Sequence, residues 1–138
     1  MPTTKEIGDV SEAMAVAAFL RAGLTVLTPF GDNKRYDMVI ERDGVFYRVQ
    51  SKTARLKSGT LLFDACSSYC HRGRGKKNYR GDVEFFSVYA PEFDKVYVVP
   101  VKDVPKTQGS LRVDATKNGQ KNNVRWARDY EFTGSFPP

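Results

Sequence analysis

RYDMVIERDGVFYRVQSKT, residues 35–53, holds two runs rich in β-formers, 36–41 and 45–51, joined through Asp43-Gly44. An Asp-Gly pair between two such runs signals a hairpin, because both central residues of the tightest turn need positive φ. A two-residue turn there makes Arg42 face Val45 and Asp37 face Gln50, with Lys52 on the diagonal. One face of the hairpin then carries Tyr36, Met38, Ile40, Val45, Tyr47 and Val49, and is ready for burial. The other gathers Asp37, Glu41, Arg48, Gln50 and Lys52 around Val39. Facing Cβ atoms lie roughly 4.5–5.5 Å apart, so a carboxylate, an amide and an ammonium converge on one small volume. A three-residue loop without a bulge would shift the register and scatter them.

A carboxylate, a second oxygen ligand and a lysine two residues along are what metal-dependent phosphodiester cleavage needs. Mg²⁺ takes hard oxygen ligands and keeps several waters. The metal polarises the phosphate, and a nearby lysine orients the attacking water or offsets developing charge. Gln50 and Lys52 share a face because strand side chains alternate. The same pattern also fits an amphipathic hairpin with a solvated polar face.

With 138 residues the chain is expected to form a single domain, 1–138, that buries about two-thirds of its unfolded surface. No apolar run approaches the roughly 20 residues that span a bilayer, and the N-terminus shows no basic-then-apolar leader. The expectation is a cytoplasmic protein without membrane association. Lys and Arg total 22 against 16 Asp and Glu, and the net charge of +6 favours a polyanionic partner without naming one. Cys66 and Cys70 precede His71, the only histidine. That cluster is short of a tetrahedral zinc site, with Asp64 the one candidate for a fourth ligand. The plainer reading is two reduced cysteines in a reducing compartment. A mechanism built on paired histidines is excluded.

Residues 4–22 are expected to be a helix, since Thr3 with Glu6 makes a capping box and Gly23 supplies a C-terminal stop. Ile7, Val10, Met14, Ala17 and Leu20 repeat at helical spacing and form the expected buried stripe. Glu12 lies outside it, among Gly8, Ala15, Val16 and Phe19. The small Gly8 and Ala15 allow close approach to another element, with Glu12 directed into the gap; a glutamate on a solvated flank is the alternative. Residues 24–27 read as a short strand ended by Pro29, and 30–34 (FGDNK) as a turn-rich loop. Beyond the hairpin, 60–65 alternate as a strand. Residues 83–89 and 95–101 are β-rich and separated by a turn at Ala90-Pro91-Glu92, with Pro100 marking a strand end or a sheet edge. A short strand at 110–113 follows.

CHRGRGKKNYRG, residues 70–81, carries Arg72, Arg74, Lys76, Lys77 and Arg80, and no acid lies between Asp64 and Asp82. Gly73 and Gly75 argue against a helix there. A flexible basic loop suits phosphate contacts, with Tyr79 available for stacking; a solvated surface loop is the alternative. The polar segment 114–128 reads either as a second nucleic-acid surface or as a solvated tail.

Together, GDVSEAMAVAAFLRAGLTVLTPFGDNKRYDMVI, YRVQSKTAR and DVEFFSVYAPEFDKVYVVPV resemble the PD-(D/E)XK nuclease superfamily, and within it the small group I intron-encoded homing endonucleases. The resemblance covers most of residues 7–101. It implies an α/β, restriction-endonuclease-like core with a central mixed β-sheet flanked by helices. It also implies a catalytic set of Glu12, Asp37, Gln50 and Lys52. In that set Asp37, Gln50 and Glu12 serve Mg²⁺ (or Mn²⁺), and Lys52 assists hydrolysis. Gln50 stands where most members carry Asp or Glu. An amide oxygen ligates Mg²⁺ but brings no charge, so the ion is held more weakly unless Glu12 compensates. The expected function is metal-dependent cleavage of a specific double-stranded DNA target. A homodimer or homotetramer is expected, since two strands need two sites. A Holliday-junction resolvase-like nuclease is the nearest alternative. A DNA-binding module that kept the fold and lost the chemistry, motivated by the neutral Gln50, is the other.

Overall fold

In the computed structural model Arg42 faces Val45, Ile40 faces Tyr47 and Met38 faces Val49, the register that a two-residue turn dictates. Asp43 and Gly44 both take positive φ, 53° and 82°, a backbone twist that matches the flanking strands. The Gly44 N–H also donates to the Glu41 carboxylate at 3.0 Å. The structure describes residues 1–31, 33–69, 75–114, 119 and 124–138.

Along the chain run α1 (Thr4–Arg21), β1 (Thr25–Leu27), β2 (Met38–Arg42), β3 (Val45–Thr53), β4 (Arg55–Lys57), β5 (Thr60–Asp64), β6 (Cys66–Tyr69), β7 (Gly75–Asn78), β8 (Phe85–Ala90), β9 (Lys95–Pro100) and β10 (Gln108–Arg112). The central sheet has the order β1-β2-β3-β8-β9. It is mixed, because β3 and β8 run parallel while the other neighbours are antiparallel. Every residue of β8 is buried, as expected of a near-continuous apolar strand covered on both faces. Pro100 closes β9 at the sheet edge, where a missing N–H breaks no interior ladder.

The helix α1 packs on one face, bringing Ala15 and Phe19 onto Met38, Ile40, Val49 and Phe85. The opposite face is covered by a three-stranded antiparallel sheet, β10-β5-β4, which buries Leu61, Phe63 and Leu111 with Phe86, Val88 and Val99. Glycine is needed at position 109 for this layer to close, because a Cβ there would collide with the Phe63 ring. Among the described residues α1 is the only α-helix, so a small sheet takes the place of the helices expected on the second face. No helix among them is long and apolar enough to cross a membrane.

The helix cap is as expected: Glu6 N–H donates to Thr3 Oγ1 at 3.1 Å, and Thr3 N–H donates to the Glu6 carboxylate at 2.9 Å. The buried face is a different one. Ser11, Ala15 and Phe19 face the sheet, while Ile7, Val10 and Leu20 are 40%, 54% and 55% exposed. Small side chains let α1 lie close on β3, where the Ser11 and Thr53 hydroxyls hydrogen-bond, and Phe19 anchors the far end edge-on to Phe132 and Phe136. Close approach plus one large anchor outweighs the longer apolar stripe. Val45, expected in the core, is 50% exposed beside the turn. The C-terminal segment is not a tail throughout. Trp126 bridges to Arg112 and Glu131 to Tyr97, and Phe136 is 3% exposed against Tyr47 and Phe85. Lys117 and Lys121 lie outside the described residues.

One ion pair fixes the junction of β3 and β8. The Glu84 carboxylate accepts from the Arg48 backbone N–H at 2.7 Å and from its guanidinium, while Glu84 N–H donates to the Arg48 carbonyl at 3.0 Å. Desolvation pushes the Glu84 carboxyl up, but the Arg48 hydrogen bonds and charge outweigh it and hold the pKa below its ordinary value. A depressed carboxyl stabilises the fold above its unfolded-state pKa, and that contribution is lost as pH falls through the folded value. Glu84→Gln should therefore lower stability by up to about 1 kcal/mol at neutral pH, since the pair is partly solvated. In urea unfolding the gap to the parent should close as pH falls below the usual carboxylate range.

Candidate active site

The paired register of the hairpin ends at Met38 and Val49, one step short of the expected Asp37–Gln50 pair. Asp37 leaves the ladder there: its N–H donates to the Val49 carbonyl at 2.9 Å, and its Oδ2 accepts from the Ser51 N–H at 2.9 Å. The carboxylate thus lies across the edge of β3 where that strand has lost β2 as a partner. Burial raises the Asp37 pKa, against the opposing effects of the Ser51 N–H and the Lys52 charge.

Glu12 reaches the same place from α1. Desolvation first, and then the Asp37 charge, raise its carboxyl above the ordinary value. Glu12 and Asp37 together line an open cleft of about 210 Å³ with Thr28, Lys34 and Tyr36. Ser11, the neighbour of Glu12, is buried and bonded to Thr53, the neighbour of Lys52, so one hydroxyl pair holds helix and strand in step. Sequence reasoning passed over Ser11. Its signal was a polar residue between Gly8 and Ala15 on the small-residue side of the helix.

Gln50 and Lys52 alternate with Val49 and Ser51 along β3, and both are half-buried. Gln50 lies beside Phe86 of β8, and Lys52 beside Val88. The Lys52 ammonium donates to the Tyr79 hydroxyl at 3.3 Å. The structure therefore brings Asp37 within electrostatic reach of Glu12 and of Lys52, while Gln50 and Lys52 lie outside the cleft that the two carboxyls line.

The residues suit a hard cation. Two carboxyls, each pushed up by burial, share a solvent-accessible cleft with the Thr28 and Tyr36 hydroxyls and with Lys34, and a cation between them would relieve both. Among the described residues no three His, Cys, Asp or Glu side chains gather, so the Gln50 amide oxygen or water must complete any ligand set. Mg²⁺, which retains water, tolerates such a sparse set. The Cys66 thiol is buried and donates to the Thr107 carbonyl at 3.5 Å. Cys70 and His71 lie outside the described residues.

The basic stretch is partly an antiparallel hairpin of β6 and β7, with Ser67 opposite Lys77. Lys77 is exposed; Arg72 and Arg74 lie outside the described residues, as does the side chain of Lys76. Arg80 is exposed, but its guanidinium donates to the Val104 carbonyl at 2.6 Å. Tyr79, expected as a stacking platform for a base, is 4% exposed and packs edge-on to Phe86. A buried ring cannot stack on nucleic acid.

The whole arrangement is similar to the structure of a bacterial homing endonuclease, I-Ssp6803I, at 26% identity and a TM-score of 0.76, covering 94% of this chain and 89% of that one. It also matches the Archaeoglobus fulgidus Holliday junction resolvase Hjc at 14% identity and a TM-score of 0.47, covering 76% of this chain and 83% of that one. No curated protein sequence matches the chain. The mixed sheet with α1 against it is the restriction-endonuclease-like α/β fold. A family model for the PD-(D/E)XK endonucleases matches residues 2–133, nearly the full length, and the chain belongs to that family.

Proposed function

We propose that the protein is a Mg²⁺-dependent DNA endonuclease of the homing type, cutting a specific double-stranded target as a homodimer or homotetramer. The observation that carries this reading is the shared cleft of the Glu12 and Asp37 carboxyls, both raised, with Asp37 also feeling the Lys52 charge. The similarity to a bacterial homing endonuclease over 94% of the chain supports the substrate class. Asp37, Glu12 and the Gln50 amide oxygen would hold the cation. When bound, such a cation would supply polarisation of the scissile phosphate and offset the charge that develops on it. Lys52 orients the attacking water and adds a second positive charge at the phosphate. The basic residues of the β6–β7 hairpin hold the DNA backbone.

Incubation of the protein with a duplex library and supercoiled plasmid in Mg²⁺ or Mn²⁺, with gel-shift binding in Ca²⁺, tests the reading. Cleavage at a defined duplex sequence is the expected result. Binding without cutting under every divalent ion supports an inactive module instead, and a preference for four-way junctions over long duplex supports a resolvase. Gln50→Glu should shift the preference between Mg²⁺ and Mn²⁺, because it adds a charge to the ligand set. An unchanged ion profile removes Gln50 from that set.

A further inference from the structure

We propose that Tyr79 is a positioning residue for Lys52, held in turn by Arg35, so that the base of the basic hairpin aims the active-site ammonium. The inference rests on the nuclease reading for its catalytic meaning and on geometry for its substance. Lysine carries its charge on a flexible four-carbon stem, and an ammonium that must meet a phosphate in one place has to be restrained. Tyr79 does this at two points. Its hydroxyl accepts from Lys52 Nζ at 3.3 Å, and its ring centroid lies 4.7 Å from the same nitrogen, within cation–π range. The ring itself is 4% exposed and fixed edge-on to Phe86 at 5.6 Å. A buried tyrosine hydroxyl needs a polar partner, and here that partner is Lys52.

Arg35 secures the arrangement. Its guanidinium carbon sits 3.9 Å from the Tyr79 centroid. It donates to the Asn78 carbonyl at 2.5 Å, the Lys77 carbonyl at 3.3 Å, the Ser67 hydroxyl and the Asp82 carboxylate at 3.3 Å. One side chain thus ties β6 and β7 to the segment that enters Asp37, two residues on. Among the described residues, the Tyr79 ring joins the end of β7 to the strand that carries Lys52.

Tyr79→Phe keeps the ring and its packing but removes the hydroxyl, whereas Tyr79→Leu removes both. At saturating DNA with Mg²⁺, the single-turnover rate should fall roughly 10-fold in the first, as for loss of a hydrogen bond to a charged group. It should fall roughly 100-fold in the second, once the cation–π attraction goes as well. DNA affinity in Ca²⁺ should stay at the parent value in Tyr79→Phe, which keeps the ring that Arg35 rests on. Phe63→Leu loosens the same core without touching Lys52, and below its unfolding temperature it should keep the parent rate. An independent readout comes from ¹³C-labelled lysine: the Lys52 ε-methylene, one bond from an ammonium 4.7 Å from the ring centroid, should change its chemical shift in Tyr79→Leu but little in Tyr79→Phe. A parent-like rate in Tyr79→Phe, or a loss in Phe63→Leu as large as in Tyr79→Leu, overturns the clamp while leaving the nuclease reading intact. A parent whose Lys52 shift responds to Tyr79→Leu yet cuts no DNA overturns the nuclease reading, and with it any catalytic role for Tyr79.

Discussion

Lys52→Ala leaves a folded, DNA-binding protein that cleaves at least roughly 10²–10³ times more slowly, the loss that follows removal of one preorganised charged donor from a transition state. Asp37→Ala goes further, since a hard cation loses a charged anchor and the reaction loses its dependence on that ion. Neither change opens a large core cavity. Lys52 and Asp37 are both half-buried at the strand edge, and the core on either side of them is made by other residues. Removing Asp37 forfeits one hydrogen bond, from Ser51, but also relieves a carboxylate that burial disfavours. Because the Asp37 and Glu12 pKa values are raised in the fold, the cation-free protein binds more protons than the unfolded chain between the unfolded and folded values. Its stability therefore declines as pH rises through that window. Plasmid nicking in Mg²⁺ and Mn²⁺, gel shifts in Ca²⁺ and circular dichroism of the two variants check the expectation together. Parent-level cleavage by either variant would rule out the site.

Replacing Arg72, Arg74, Lys76 and Lys77 together by Ala should weaken DNA binding strongly and flatten its salt dependence. A cation that neutralises one phosphate contributes about 0.9 to the slope of log affinity against log salt, so removing all four lowers that slope by roughly 3–4. Of the four, Lys77 is exposed on β7, whose following residue Tyr79 is held beside Lys52 and Arg35. Arg80 is left in place because its guanidinium serves the Val104 carbonyl. Cleavage at saturating DNA should be affected far less than binding, since bond breaking depends on the cleft. A quadruple variant with the parent's salt slope would show the stretch to be an ordinary solvated surface.

The hairpin was readable because its rules are local. An Asp-Gly turn fixes the register, and alternation then puts Gln50 and Lys52 on one face while Met38, Ile40 and Val49 go to the core. The place of Glu12 was readable in part, since Ala15 marked the side of α1 that comes close; Gly8, expected beside it, is exposed with open space around it, and Ser11 makes the approach instead. What escaped depended on distant partners. The stripe of Ile7, Val10 and Leu20 has the right period, but β3 and the C-terminal aromatics select the smaller face. β4, β6 and β7 are short and polar, so no alternation of apolar residues betrays them. Tyr79 sits in a basic run whose composition speaks of solvent, and only its tertiary neighbours make it a core residue. Asp37 bonds to Ser51 rather than continuing the ladder, because β2 ends where β3 goes on.

That uneven ending of the two strands has a kinetic consequence. From Val45 to Val49, β3 is zipped to a partner that follows from a two-residue turn; from Val49 to Thr53 it is paired in parallel with β8. The first pairing closes a minimal loop and can form on the microsecond scale typical of hairpins, roughly 1–10 μs. The second must wait until β4 to β7 have been threaded out and back, with the closure entropy that so long an excursion carries. Gln50 and Lys52 belong wholly to that later pairing. A nascent chain with its hairpin already formed therefore lacks a fixed lysine, and chemical competence arrives only with the slow, non-local step. The order of assembly keeps the candidate site unfinished until β8 is in place beside β3.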